Sequence, residues 1–146
     1  MLNLNFKLLS INDYDELYNL WVRTPGMGMR SLDDSKEGIE KFIKRNPNTN
    51  FICLKDNKLV GSILCGHDGR RAYIYHTCVD SEYRGLGIAK TLIAKVSDVL
   101  KEEGINKVAL VCFKTNELGN TFWRKLNYEK REDLNYYNIS LNQNNN

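Results

Sequence analysis

The stretch from Ala72 to Lys101 constrains the fold most, because a strand pattern passes through a glycine turn directly into a helix pattern. Residues 73–79 are rich in β-branched and aromatic side chains, which favour a strand. Apolar residues then recur at helical spacing, at Ile88, Leu92, Val96, Val99 and Leu100. Gly85 and Gly87 lie between the two patterns and have no Cβ, so a ligand can come close to the backbone. The unpaired first amides of the helix would attract phosphate.

Length, charge and hydropathy limit the class of protein. The 146 residues predict one domain, residues 1–141, followed by a frayed Asn-rich tail at 142–146. The net charge is +3 and no block of five like charges occurs, so no nucleic-acid partner is expected. The N-terminus lacks a signal-peptide pattern, and no apolar run approaches the roughly 20 residues of a membrane span. We therefore expect a soluble, cytoplasmic protein that does not bind membranes.

The four cysteines do not indicate a metal site or a redox motif. Each lies inside a predicted strand, and none has the close spacing to another that zinc sites and redox pairs show. We expect buried, reduced thiols at Cys53, Cys65, Cys78 and Cys112.

The hydrophobic patterns predict an α/β protein of the α+β type. A first strand at 4–9 precedes two helices, which end before Pro25 and by Pro47, and three strands follow at 51–55, 59–65 and 71–79. After the long helix, the apolar run 108–113 predicts a buried strand parallel to the one before it. Asn116 caps a last predicted helix, and residues 128–132 and 136–141 predict a closing hairpin. The sheet is mixed, mostly antiparallel and six- to seven-stranded, with about four helices.

Two segments resemble one enzyme family. Arg84-x-x-Gly87-x-Ala89 is similar to the Arg/Gln-x-x-Gly-x-Gly/Ala signature of the GCN5-related N-acetyltransferases, the GNAT superfamily, and the chain looks like a small bacterial member. Residues 116–128 resemble the later family segment Asn-x-x-Ala-x-x-Phe-Tyr-x-x-x-Gly-Phe, with Gly119, Trp123 and Asn127 at three departures. The order of predicted elements also matches the GNAT fold, in which the fourth and fifth strands splay apart.

The resemblance implies a site for acetyl-CoA as co-substrate. The pyrophosphate would lie on the amides of the turn, and the pantetheine arm would pair with the fourth strand like an extra strand. Asn116 would touch the pantetheine or help to hold the splay. The cofactor-binding residues implied in this way are Cys78, Val79, Arg84, Gly85, Leu86, Gly87, Ile88, Ala89, Lys90 and Asn116.

The implied reaction is acetyl transfer to a primary amine of a small molecule or peptide, by direct attack in a ternary complex. Strand alternation puts Tyr73 and Tyr75 on one face, and the geometry of the family that the chain resembles implies that this face receives the acceptor. Both are therefore the catalytic candidates, and Tyr73 could orient a water that relays the proton. A half-buried tyrosine packed on the sheet explains Tyr73 equally well. Trp123 occupies the position of the usual tyrosine acid, and residues 110–112 of the fifth strand carry no carboxylate base.

Other side chains have two interpretations each. His76 has a side chain suited to a base at neutral pH, but alternation turns it to the opposite face from Tyr75, as a core histidine. Three carboxylates, at Asp33, Asp34 and Glu37, either attract a cationic amine or cap the second helix. The loop with Met27 and Met29 either lines an acceptor pocket or only connects two helices.

Two other functions stay open at the level of sequence. A catalytically weak or inactive acetyl-CoA sensor would explain the missing tyrosine and carboxylate. A nucleotide-binding module would use the same glycine turn. The exposed edge strands would also allow a homodimer, although no residue requires one.

Overall fold

The computed structural model describes residues 3–146; residues 1 and 2 of the expected 1–141 domain lie outside the described residues. Four helices are present: α1 (Tyr14–Val22), α2 (Lys36–Arg45), α3 (Ile88–Glu102) and α4 (Glu117–Lys125). The strands are β1 (Leu4–Leu8), β2 (Phe51–Lys55), β3 (Lys58–Ile63), β4 (Cys65–His67), β5 (Ala72–Ile74), β6 (Cys78–Val79) and β7 (Val108–Ala109).

The seven strands form a mixed, mostly antiparallel sheet, which confirms the predicted fold class. One part has the order β1-β2-β3-β6 and the other β4-β5-β7. Only the β5–β7 pair is parallel. The two parts share chain segments, because Leu64 alone separates β3 from β4 and residues 75–77 separate β5 from β6. The predicted third and fourth strands are therefore each present in two pieces.

A β-bulge interrupts the fourth predicted strand, residues 72–79, which we call the bulged strand. Ile74 lies opposite Cys65, and Cys78 lies opposite Ser62. Between these two pairs the bulged strand advances four positions and its partner only three, so one extra residue is accommodated at 75–77. The bulge breaks the alternation of side chains on which the sequence analysis relied.

Each face of the sheet carries its own hydrophobic core. On the α3/α4 face, apolar residues of α3 pack against strand residues such as Val60, Ile63 and Ile74. On the α1/α2 face, Leu17, Leu20, Trp21 and Ile39 pack against the alternate strand residues, including Ile52, Leu59 and Leu64. Burial on both faces fixes the register, because a slip of one residue would exchange the two faces.

The expected splay between the fourth and fifth strands is present. β5 and β7 pair only through Ala72 with Val108 and Tyr73 with Ala109. Beyond Ala109 the chain leaves the sheet, and β6 pairs with β3 alone among the strands of residues 3–146. The gap beside β6 is therefore open.

Two expectations for the C-terminal part are wrong. Residues 128–132 and 136–141 do not form a hairpin; Tyr137, Ile139 and Leu141 are 87%, 82% and 94% exposed. β7 is only two residues long, so a strand of the predicted hairpin would find little edge to pair with.

The tail at 142–146 is held rather than frayed. The Asn145 side chain accepts hydrogen bonds from the amides of Leu32 and Asp33, both at 3.0 Å. Its Nδ2 donates to Asp33 Oδ2 at 2.9 Å, and the Ser31 amide donates to Asn146 O at 2.8 Å. Asparagine carries both a donor and an acceptor, so this one side chain can pair with the backbone amides and with the carboxylate of the loop before α2.

Candidate active site

The first turn of α3 has no side-chain cap. Its N-cap residue is Gly87, in the left-handed conformation with φ of 77°, and no side-chain hydrogen bond caps the helix. Two other helices show the contrast, because Ser35 accepts from Gly38 N at the start of α2 and Asn116 accepts from Gly119 N at the start of α4. The amides at the start of α3 are thus left to an external acceptor, and the helix dipole favours an anion there.

The outer side of the turn before α3 is open, and its inner side packs closely against β3. A Cβ at Gly85 or Gly87 would meet no atom within 4 Å, so the positive φ at both positions, rather than crowding, requires glycine. Behind the turn, a Cβ at Gly61 of β3 would lie 2.7 Å from Ile88 Cγ2. The absence of a side chain at Gly61 thus lets the N-terminus of α3 lie close to the sheet.

The outer edge of β6 lies next to this turn in the chain. Cys78 and Val79 pair with Ser62 and Gly61 on one side, and the other side faces the splay. The Cys78 thiol is buried, 3.9 Å from both Ser62 Oγ and Thr24 Oγ1, and burial raises its pKa. The backbone edge, not the thiol, is therefore what this segment offers to a ligand.

The elements on the other side of the splay hold Asn116 and Trp123. Asn116 Oδ1 accepts from Gly119 N at 2.9 Å, and a Cβ at Gly119 would lie 2.6 Å from Asn116 Nδ2, which explains glycine in place of the family's alanine. The Trp123 ring packs against Phe122 at 5.1 Å and Tyr128 at 4.9 Å. It fills space against the α3/α4 core and offers no acidic hydroxyl.

The two candidate tyrosines lie together on the α1/α2 face, as predicted from alternation. Their ring centroids are 4.7 Å apart, and the Tyr75 ring meets the Phe42 ring of α2 edge-on at 5.5 Å. Burial raises the pKa of Tyr73 to about 12, with further contributions from Tyr136 and Tyr75. Tyr73 is therefore a neutral hydroxyl at physiological pH, able to pass a proton along but not to act as a phenolate base.

His76 lies on the same face as the tyrosines, so its predicted orientation is wrong. The bulge turns it toward α1, where it meets the Trp21 ring edge-on at 4.8 Å. Its Nε2 is 2.7 Å from Asp34 Oδ1, and the two side chains are 15% and 7% exposed. The same shift puts Cys78 in the α1/α2 core rather than opposite it.

The Asp34–His76 pair is the feature that sequence reasoning missed. The two residues are 42 positions apart, and no local pattern connects them. Asp34 does not cap α2, since Ser35 does so, and instead its Oδ2 accepts from Arg30 N at 2.7 Å. The only signal in the sequence is that two aspartates, Asp33 and Asp34, precede a helix for which Ser35 is also a candidate cap.

Asp34 also borders a surface pocket of about 370 Å³. Its walls include two stacked tyrosines with ring centroids 5.8 Å apart, Tyr14 and Tyr18. The remaining lining residues are Met29, Arg30, Ser31, Ser35, Lys36 and Asn146. Met29 therefore lies in a pocket wall, as one of its two interpretations expected.

The following statements concern residues 3–146, the part of the chain that the structure describes. No helix in this range is both long and apolar enough to cross a membrane. No group of three or more His, Cys, Asp or Glu side chains in the same range could hold a metal ion.

Solved structures show the same fold. An aminoglycoside acetyltransferase from an uncultured soil metagenomic sample, in complex with trehalose, superposes with a TM-score of 0.74 at 26% identity, over 94% of this chain and 97% of that one. PaiA N-acetyltransferase from Thermoplasma acidophilum, in complex with coenzyme A, has a TM-score of 0.77 at 23% identity, over 90% and 92% of the two chains.

Sequence comparison identifies the family directly. The acetyltransferase of Sodalis glossinidius is 30% identical over 123 residues, 84% of this chain and 85% of its own length. An acetyltransferase of Photorhabdus laumondii is 32% identical over 124 residues, 82% of each chain. The family model described as the acetyltransferase (GNAT) family matches residues 14–128, from the start of α1 to three residues beyond the end of α4. The chain therefore belongs to the GNAT family of acetyltransferases.

Proposed function

We propose that the protein transfers the acetyl group of acetyl-CoA to a primary amine of a small molecule or peptide, by direct attack in a ternary complex. One observation carries this proposal: the open edge of β6 leads directly into the uncapped first turn of α3. An extended pantetheine arm would pair with the backbone of Cys78 and Val79, and the pyrophosphate would lie on the amides from Gly85 to Lys90. Asn116 borders the other side of the splay.

Similar proteins support the choice of cofactor. A structural neighbour was solved with coenzyme A, and another, from Clostridium acetobutylicum, with acetyl-CoA. Both are under 25% identical to this chain, so the stronger support comes from family membership and from the turn itself. The two glycines leave the space above the turn free, which supports the proposal that a diphosphate lies there.

The acceptor would enter from the α1/α2 face, opposite α3. The 370 Å³ pocket beside Asp34 lies on this side, and its stacked tyrosines suit an organic cation. Exposed carboxylates at Asp33 and Glu37 lie near its rim and would attract an amine. The soil aminoglycoside acetyltransferase was also solved with sisomicin, an amine-bearing ligand, which makes small polyamines the first class to assay.

The test combines binding with turnover. Calorimetry measures acetyl-CoA binding, and release of free CoA thiol is followed with sisomicin, spermidine, free amino acids and a peptide with a free N-terminus. We expect acetyl-CoA to bind and at least one amine to accelerate thiol release. Failure to bind acetyl-CoA would contradict the proposal.

The sensor alternative is supported by Trp123, which places a packed indole where many relatives have an acidic tyrosine. It predicts tight acetyl-CoA binding with no thiol release for any amine in the panel. The same two measurements therefore separate the enzyme from the sensor.

Replacing Tyr73 with phenylalanine tests the water relay. Because Tyr73 is a neutral hydroxyl with a pKa of about 12, its loss removes one hydrogen-bonding step and leaves the base in place. We expect kcat to fall about tenfold, which is the size of one lost hydrogen bond and less than the loss of a general base, with the KM for acetyl-CoA unchanged. The matched control is Tyr137→Phe, which removes the same hydroxyl from a side chain that is 87% exposed. Equal rates and equal pH profiles for the two variants would remove Tyr73 from the mechanism.

A further inference from the structure

The protein contains two histidine–carboxylate pairs, which differ in whether the Nδ1 atom of the histidine has a hydrogen-bond partner. His67 Nε2 lies 2.6 Å from Glu103 Oε1, and His76 Nε2 lies 2.7 Å from Asp34 Oδ1. The second ring nitrogen of His67 is also occupied, because its Nδ1 accepts from Gly69 N at 3.0 Å. The Nδ1 of His76 has no hydrogen-bond partner within residues 3–146.

This free nitrogen is accessible. Within the described residues, every side-chain nitrogen or oxygen that is fully buried in a non-exposed residue has a partner, so the unpartnered Nδ1 of His76 retains contact with solvent. An ionised carboxylate only accepts hydrogen bonds, so the neutral ring places its proton on Nε2, toward Asp34. The lone pair then lies on Nδ1, where it can accept a proton.

Asp34 and Trp21 hold the His76 ring in this orientation, and Asp34 is itself fixed by hydrogen bonds. The second oxygen of Asp34 is fixed by Arg30 N, and its backbone carbonyl accepts from Tyr14 Oη at 2.6 Å. Trp21, which is fully buried, packs edge-on against the imidazole. A ring fixed by a carboxylate and a buried aromatic keeps the same tautomer through a reaction cycle.

The bulge brings His76 to the reacting end of the proposed cofactor site. His76 lies two residues before Cys78 and on the same face of the sheet, at a rise of about 3.3 Å per residue. Its backbone therefore lies at most about 7 Å along the strand from Cys78, whose edge the pantetheine would pair with, and a proton would pass between the two through water. Neither Trp123 nor the fifth strand provides another proton carrier at this end.

We propose that His76 is the catalytic base of acetyl transfer and that Asp34 is its positioning residue. The inference rests on the proposed function and names a residue for a step which that function leaves open. An acceptor ammonium passes one proton through a water to His76 Nδ1. The neutral amine then attacks the thioester carbonyl carbon, a C–N bond forms and the C–S bond breaks. The amide nitrogen's surplus proton goes to the departing thiolate, and His76 returns its own proton to solvent.

Other groups around the ring do not supply a base. Burial raises the pKa values of Tyr14, Tyr75 and Cys78, so these three are neutral and protonated at pH 7. The charged groups that act on these three residues are Asp15, Arg23, Asp33, Asp34, Glu37 and Arg84. Of the carboxylates among them, only Asp34 is hydrogen-bonded to His76 within residues 3–146.

His76→Gln tests the role, because a glutamine amide can still donate to Asp34 but cannot take up a proton. We expect kcat at pH 7 to fall about 100-fold, as for loss of a general base, with the fastest amine of the panel. Acetyl-CoA affinity by calorimetry should stay within about twofold of wild type, since the base does not touch the phosphate turn. His67→Gln is the matched control, and its kcat should stay within about twofold.

The pH dependence separates a base from a structural residue. Alkyl amines lose their proton near pH 10, so at pH 9.5 much more of the acceptor is already neutral. The fall in kcat of His76→Gln relative to wild type should therefore narrow to about tenfold or less at that pH. A loss that stays constant from pH 7 to 9.5 would assign His76 a structural role and overturn the inference. Unchanged kcat in His76→Gln would overturn it as well.

A second measurement needs no acceptor. Nitrogen-15 NMR of the imidazole rings should show His76 bare on Nδ1 and protonated on Nε2 at neutral pH, whereas the opposite tautomer would contradict the base assignment. A wild-type protein that binds acetyl-CoA but acetylates no amine would instead overturn the proposed function, and the inference with it. Active wild type with an equally active His76→Gln overturns the inference alone.

Discussion

Replacing Gly87 with leucine should lower the affinity for acetyl-CoA at least a hundredfold. The position has a φ of 77°, where a residue with a Cβ is strained by about 1–2 kcal/mol. The leucine side chain would also fill the open space above the first turn of α3, where the pyrophosphate is proposed to lie. Calorimetry with acetyl-CoA measures the loss directly, and thermal unfolding shows whether the protein still folds.

Gly104 supplies a control with the same backbone cost. It has a φ of 78°, no atom lies within 4 Å of its ideal Cβ, and it follows the other end of α3. Gly104→Leu should therefore lower the free energy of unfolding about as much as Gly87→Leu does, without changing the affinity for acetyl-CoA. Equal affinities in the two variants would argue against phosphate binding at the turn.

Removing the Trp21 side chain should cause a large loss of stability. Trp21 is fully buried, and its Nε1 donates to Ser62 Oγ at 3.3 Å. Truncation to alanine leaves a cavity in the α1/α2 core and should cost about 3–5 kcal/mol in the free energy of unfolding. For a chain of this size that corresponds to roughly 10 °C in Tm, measurable by calorimetry or circular dichroism.

The next residue on the same helix is the control. Val22 is 57% exposed, so Val22→Ala should change the free energy of unfolding by about 0.5 kcal/mol or less. A Trp21→Ala variant as stable as Val22→Ala would show that α1 is not packed on the sheet as described. Trp21→Phe keeps an aromatic ring beside His76 and should lose less stability than the alanine variant.

Features with a local cause could be predicted from the sequence. The helix pattern after Gly87 predicted α3, whose buried residues include Ile88, Leu92, Val96 and Leu100. The glycines predicted a turn between the strand and the helix, and in the structure both have a positive φ. These features depend on residues within a few positions of one another, which is the range over which periodicity and turn chemistry carry information.

Two kinds of feature could not be predicted: those that depend on the exact number of residues in a strand, and those that depend on residues far apart in the sequence. The bulge adds one residue to one strand, and alternation assumed none, so His76 was assigned to the wrong face. Asp34 meets His76 across 42 positions, and Asn145 meets Asp33 across 112. The closing hairpin had strand-like sequence but no adequate edge to pair with, which shows that propensity alone does not make a sheet.

The bulge interrupts the regular ladder of this strand and at the same time gives His76 the orientation that its proposed role requires. A chain lacking Thr77 would run from Ile74 to Cys78 in step with its partner and would close the hydrogen-bonded ladder. Regular alternation would then turn His76 away from Asp34 and toward α3. The proposed role of His76 therefore predicts that a Thr77 deletion would lose activity even where the regular strand made the protein more stable. Stabilising designs for this protein should therefore leave residues 75–77 unchanged.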